Sequence, residues 1–194
     1  MKPDVDGTED LDGLARAASQ GDAEAFERLV RLVYARIHRW ALVRVGDVDD
    51  ADDVTQTVLV RLHAGLSEWE GRGRFTTWLY RVTANEASTW GRRITRRARW
   101  MVRAPDAREE RVDGRIGPGA ELERDEMVQL LQAFFRTLPP RQREVFDLVE
   151  YQGYTPAEVG EMLDMNPSTV RANLFKARRT IRDRVARESR EAAE

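Results

Sequence analysis

Apolar residues recur at three- and four-residue spacing along nearly all of this 194-residue chain, and that period commits it to helices. The clearest stripe is Ala25, Phe26, Leu29, Val30, Val33, Ile37 and Trp40, one face of a long amphipathic helix reaching about Val45. No stretch alternates as a half-buried strand does for more than a few residues. The expected fold class is all-α: two small helical domains joined by a flexible linker, the second a helix-turn-helix domain.

Punctuation along the chain sets the expected boundaries. Residues 1–10 read as a flexible acidic tail, and a short helix covers about Leu11–Gln20 before Gly21 breaks it and Asp22 caps the next. Gly46–Asp49 turns the chain into a third helix that starts in acids, which suit the positive end of a helix dipole. Its stripe is Ala51, Val54, Val58, Leu62 and Leu66. The glycine-punctuated loop Trp69-Glu70-Gly71-Arg72-Gly73-Arg74 then leads to a helix with Phe75, Trp78, Leu79 and Val82 on its core side. Glu86 falls close to that side and breaks the pattern unless an arginine pairs with it.

The first domain is therefore read as residues 11–103. Residues 104–125 carry Pro105, Pro118, glycines and alternating charges with hardly any large apolar group, the composition of a linker. The second domain, residues 126–194, opens with Leu130, Leu131, Phe134, Phe135 and Leu138 on one helix. Pro139-Pro140 stops that helix and starts another bearing Val145, Phe146, Leu148 and Val149.

Several function classes are disfavoured. There is no cysteine, hence no disulfide framework or thiolate metal site, and a reducing compartment is the natural home. His38 and His63 lack neighbours at ligand spacing, so neither a metal nor a cofactor is expected. With no nucleophile-base pair and no phosphate loop, an enzyme is not expected either. No apolar run approaches the ~20 residues that span a bilayer, and the acidic start has the wrong sign for a signal peptide, so a cytoplasmic protein without membrane insertion is expected.

A net charge of only −2 conceals strong segregation of sign. Asp47–Asp53 holds five carboxylates, Arg92–Arg103 six arginines and no acid, and Arg171–Arg187 seven basic residues against Asp183 alone. Two basic runs, each beside aromatic or turn-helix patterning, suit phosphate contacts.

The second domain carries the sharper pattern. Thr155-Pro156-Ala157-Glu158 combines a capping threonine, a proline at the first helical position and a capping-box glutamate, followed by Val159, Met162 and Leu163. Asp164–Asn166 makes a short turn, Asn166 can cap, and Pro167 begins a helix to about Arg187 whose inward stripe is Val170, Leu174, Ala177, Ile181 and Val185. Ser168, Ala172, Phe175, Lys176 and Arg179 then face outward, flanked by Arg171, Asn173 and Arg178. This suits a recognition helix in the major groove: Arg171 and Lys176 for guanine or phosphate, Asn173 for adenine, Phe175 for a thymine methyl. A helical hairpin used only for protein contacts is the alternative.

The first domain offers what unpaired bases require. Trp69 and its loop, Trp78, Tyr80 and Asn85 on the helix, Trp90 and the arginine run supply stacking surfaces, amide hydrogen bonding and a basic track. Tyr80 is expected to point outward and Trp78 inward. On the third helix Asp53, Gln56, Val60 and His63 point away from the core stripe; this mixed face is either plain solvent-facing surface or a docking face for another helix.

These segments carry a family likeness. Asp50-Ala51-Asp52-Asp53-Val54-Thr55-Gln56-Thr57-Val58 resembles the acidic segment of bacterial extracytoplasmic-function (ECF) sigma factors, and Phe75-Thr76-Thr77-Trp78-Leu79-Tyr80-Arg81-Val82 with Asn85 resembles their F-x-T-W-L-Y-R-I-A-x-N stretch. Leu138-Pro139-Pro140-Arg141-Gln142-Arg143-Glu144-Val145 and Ser168-Thr169-Val170-Arg171 are similar to their L-P-x-x-x-R-x-V and G-T-V-R segments. The likeness runs in register over about Asp22–Arg187.

The resemblance implies a promoter-recognition subunit of RNA polymerase. Core polymerase, through its β′ clamp coiled coil, would meet Asp50, Asp53, Gln56, Thr57 and Val60. The −10 element would meet the loop Trp69, Glu70, Gly71, Arg72, Gly73 and Arg74, then Tyr80, Asn85 and the arginines Arg92, Arg93, Arg96 and Arg97. The −35 duplex would meet Ser168, Thr169, Arg171, Ala172, Asn173, Phe175, Lys176 and Arg179, with the β flap nearby. An anti-sigma factor is the further partner the family suggests. Ala172 and Asn173 stand where many relatives carry Ser and Arg, and the loop is richer in arginine and glycine than usual, so promoter sequence does not transfer. The rival readings are a helix-turn-helix regulator acting on duplex DNA without polymerase, and a protein-interaction module that binds an inhibitor.

Overall fold

The computed structural model describes residues 10–69, 71, 73–101 and 137–191, and every element among them is helical. The first module consists of α1 (Leu11–Ser19), α2 (Ala23–Val45), α3 (Val48–Gly65) with a 3-10 turn at Leu66–Glu68, and α4 (Phe75–Met101). The second holds α5 (Pro140–Phe146), a π-helical turn at Asp147–Tyr151, α6 (Pro156–Leu163) and α7 (Pro167–Glu191). Residues 1–9 of the tail expected at 1–10, the linker at 104–125 and the Leu130–Phe135 stripe lie outside the described residues, as do Glu70 and Arg72, whereas Asp10 is described and caps α1.

Local chemistry starts several of the helices where the sequence places them. Asp10, Asp22 and Asp47 each accept a hydrogen bond from the backbone amide three residues on, satisfying one of the donors that a helix start leaves unpaired. Gly46 ends α2 in the left-handed region at φ 81°, where a side chain would be strained. The capping box at Thr155 and Glu158 is complete, and Pro156 opens α6.

The core of the first module is the pair of stripes read from the sequence. Leu29, Val33, Ile37 and Trp40 of α2 meet Val54, Val58 and Leu62 of α3, and Phe75 and Leu79 of α4 close the third side. Truncating Trp40, which is 1% exposed, to alanine would cost about 3–5 kcal/mol. In the second module Val145, Leu148, Val159, Met162, Leu163, Val170, Leu174 and Ala177 are buried. Gly160 is required there because a Cβ would sit 2.6 Å from the backbone oxygen of Met165, in the turn between α6 and α7.

Two expectations need correction. Tyr80 does not point outward; it is 3% exposed, its ring edge-on to Trp40 at 5.2 Å. The buried arc of α4 is wider than its apolar stripe, taking in Thr76, Tyr80, Thr83 and Ala87, because α4 packs against α1, α2, α3 and α6 together. Likewise the inward stripe of α7 is buried only as far as Ala177: Ile181 is half-buried and Val185 is 41% exposed. No described helix is long and apolar enough to cross a membrane.

Candidate nucleic-acid interface

The reverse face of α3 is as mixed as its sequence implies. Asp53, Gln56 and His63 are exposed and Val60 is 70% exposed, a large aliphatic group standing among polar ones. Asp50 and Thr57 are half-buried: the Asp50 amide donates to the Asp47 carboxylate, and the Thr57 hydroxyl donates to the Asp53 carbonyl at 2.9 Å. His38 is half-covered, 3.1 Å from the Asp52 carboxylate.

The loop after α3 is anchored rather than splayed. Trp69 is 5% exposed and lies edge-on to Phe75 at 5.5 Å, so it holds the loop and offers no stacking surface, contrary to the sequence reading. Gly71 and Gly73 both take positive φ, 70° and 82°, which turns the backbone sharply twice. Arg74 pairs with Glu158 of α6. Burial works to raise the Glu158 carboxyl, but hydrogen bonds from the Thr155 amide and hydroxyl and the Arg74 charge outweigh it and hold the group below the usual range.

Along α4, Asn85 is exposed and lines a cleft of about 490 Å³ between the modules, facing Met162, Leu163 and Asp164. Arg92 and Arg93 are exposed, and Arg96 and Arg97 belong to the last turns of the helix. Glu86 has the partner its position demands: Arg61 of α3 reaches it at 2.7 Å, so an acid that interrupts the stripe is neutralised from a neighbouring helix. Tyr80 forms the floor near this cleft, where burial and the nearby Glu144 charge push its hydroxyl well above the ordinary phenol range.

Helix α7 separates its faces cleanly over its first turns. Val170, Leu174 and Ala177 are buried, while Ser168, Thr169, Arg171, Ala172, Lys176 and Arg179 are exposed and Phe175 is 66% exposed. Asn173 is half-buried and donates to the Thr169 carbonyl at 2.9 Å. Asn166 caps the helix by accepting from the Ser168 amide at 2.9 Å. Arg178 is committed to structure, its Nε donating to Glu150 at 2.8 Å, which ties α7 to the π-helical turn. Short helix, tight turn and longer helix with an outward basic face make the geometry of a major-groove reader.

Comparison with known proteins falls on these same two modules. The family described as Sigma-70 region 2 matches residues 25–100, and Sigma-70, region 4 matches residues 129–181. The ECF RNA polymerase sigma factor SigM of Mycobacterium tuberculosis is 30% identical over 85% of this chain and 79% of its own length. The chain belongs to the ECF RNA polymerase sigma factor family. Further relatives are SigE of Mycolicibacterium smegmatis, 28% identical over 98% of this chain and 74% of its own, and the sigma-E factor of Escherichia coli K12, 28% identical over 89% and 92%.

The sigma factor shares its fold with CnrH, solved in complex with the cytosolic domain of CnrY: TM-score 0.65 at 21% identity, covering 91% of this chain and 98% of that one. RpoE, solved with the anti-sigma factor NepR from Bartonella quintana, also gives a TM-score of 0.65, at 17% identity over 83% and 96%. The family is that of transcription-initiation factors, and a free-standing duplex regulator is not favoured.

What the sequence reading missed is the boundary between the modules. Asp147 is 1% exposed yet bonds Arg39 of α2, whose Nε donates to it at 2.8 Å. Burial pushes the Asp147 carboxyl up, against the Arg39 charge and hydrogen bonds from Arg39 and Gln152. The available signal was an acid inside the apolar run Val145–Val149, the same kind of break that Glu86 makes.

Proposed function

We propose that residues 11–103 of this sigma factor dock on the β′ clamp coiled coil of core polymerase and capture unpaired bases of the −10 element, while residues 126–194 read the −35 duplex and approach the β flap. Residues 104–125 tether the two. The observation that carries the reading is α7, whose Val170, Leu174 and Ala177 are buried in its module while Arg171, Phe175 and Lys176 are exposed. The clamp would take Asp53, Gln56 and Val60, with Asp50 and Thr57 shaping the same helix.

Base capture falls to Asn85, the Glu70–Arg74 loop and the basic track Arg92, Arg93, Arg96 and Arg97. Trp69 and Tyr80 position that surface from beneath. An anti-sigma partner is proposed because RpoE is solved with one, and the action is initiation in the cytoplasm rather than catalysis. In vitro transcription with core polymerase and a randomised promoter library tests the whole: a preferred start site with −35 and −10 signatures is expected, and no selectivity above core alone rejects the reading.

A further inference from the structure

We propose that the end of α1 carries a second subsite for unpaired DNA: a pocket that takes one base beyond the glycine loop, with Arg16 holding the strand's backbone beside it. This rests on the base-capture reading above and extends the surface that performs it.

Helix α1 runs back along the segment that leads into α4. In its first turn Asp12 accepts from the Phe75 amide, and one turn later the Arg16 Nε lies 3.7 Å from where a Cβ on Gly71 would stand. Residues four apart share a helix face, so this face of α1 follows the loop backwards. The last residues of α1, the start of α2 and the end of α3 then enclose a cavity of about 320 Å³. The 3-10 turn at Leu66–Glu68 supplies part of its wall and continues directly into Trp69 and the loop.

The lining has the chemistry of a base site. Phe26 is half-buried and stands edge-on to the exposed His63 ring, their centroids 5.1 Å apart and their planes at 64°. Two rings set at that angle form a corner in which a flat heterocycle lies on one face and meets the edge of the other. Hydroxyls flank the corner. Ser19 donates to the Arg16 carbonyl at 2.8 Å, which leaves its oxygen to accept, and Ser67 is exposed. Ala18 and Ala23 are small enough to leave the floor open.

Charge decides which end of a nucleotide faces inward. Neither a carboxylate nor an arginine lines the cavity, which suits a neutral base and not a phosphate. Arg16 stands outside it on the loop side, exposed, and no described carboxylate pairs with it. A base in the corner thus leaves its phosphate toward the one cation that α1 sets beside Gly71.

The test uses the full chain with core polymerase in saturating amount, so that only the DNA step is read. Forked promoter DNA with an unpaired non-template strand carries a fluorescent adenine analogue, or an abasic site, at each unpaired position in turn. For the parent, one position outside those that depend on Asn85 is expected to show quenched emission and to lose about tenfold in affinity when abasic. His63→Ala, and Ser67→Phe, which fills the cavity from an exposed position, should each abolish that quenching and cost the same factor, with no further loss on the abasic fork. Arg16→Ala should weaken binding to every fork alike and lower the salt slope by about 0.7, and Arg16→Lys should restore both. Helix content and thermal melting are read for each variant.

Parent-like quenching and affinity in both cavity variants overturn the pocket, as does a loss that adds to the abasic one. A parent-like salt slope in Arg16→Ala overturns its backbone contact. If Asn85→Ala also binds every fork as the parent does, the base-capture reading falls too; a defect in Asn85→Ala alone leaves that reading standing and removes only the second subsite.

Discussion

The carboxylate of Asp12, in the first turn of α1, accepts a 2.7 Å hydrogen bond from the backbone amide of Phe75, the first residue of α4. A residue 63 positions earlier in the chain thus serves as the cap of the helix that follows the glycine loop. Asp12→Ala is expected to lower stability by about 1 kcal/mol in urea denaturation, with Asp12→Asn restoring most of it. Equal losses in the two variants would show that the hydrogen bond is not what matters.

The exposed Val60 supplies a cleaner test of docking. Val60 is 70% exposed, so Val60→Glu should keep its stability within about 0.5 kcal/mol of the parent. Its affinity for core polymerase should fall about tenfold, or ~1.4 kcal/mol, in a fluorescence titration. Unaltered affinity removes α3 from the interface.

Arg171 and Lys176 separate base reading from phosphate contact. If Arg171 pairs with a guanine edge, Arg171→Ala costs about 1–3 kcal/mol on the preferred −35 sequence and relaxes preference at that position. If Lys176 meets only phosphate, Lys176→Ala weakens all sequences alike and lowers the salt slope by about one. The two variants are compared by binding at several salt concentrations, and identical profiles contradict the division of roles.

Glu158 gives the molecule a pH signature. A carboxyl depressed on folding contributes stability that is present above its unfolded value, about 4.3, and is lost as pH falls through the folded value. Glu158→Gln should therefore have a lower Tm than the parent at neutral pH, with the gap closing at more acidic pH. A gap that stays constant down to pH 3 would mean the cap works without its charge.

Much of the architecture is local and could be read before any coordinates. The stripes of α2 and α3, the aspartate caps, the Thr155 capping box and the turn before α7 all depend on residues within a few positions of one another, so one-dimensional spacing carries them. The exposed faces at Val60 and Phe175 follow from the same arithmetic, as whatever the inward stripe leaves over.

The structure alone decided where distant surfaces meet. Periodicity reports the face a helix buries against a single partner, but α4 is packed from several sides, which is why Tyr80 is covered, and Trp69, ahead of α4, is covered against Phe75 rather than free to stack on bases. Glu86 stood out as a misplaced acid and Asp147 passed unremarked, and nothing in their own segments names Arg61 or Arg39. Spacing along a chain specifies which groups a helix turns inward; the neutralising charge for a buried carboxylate comes from whichever helix the tertiary packing brings against it, at any separation in sequence.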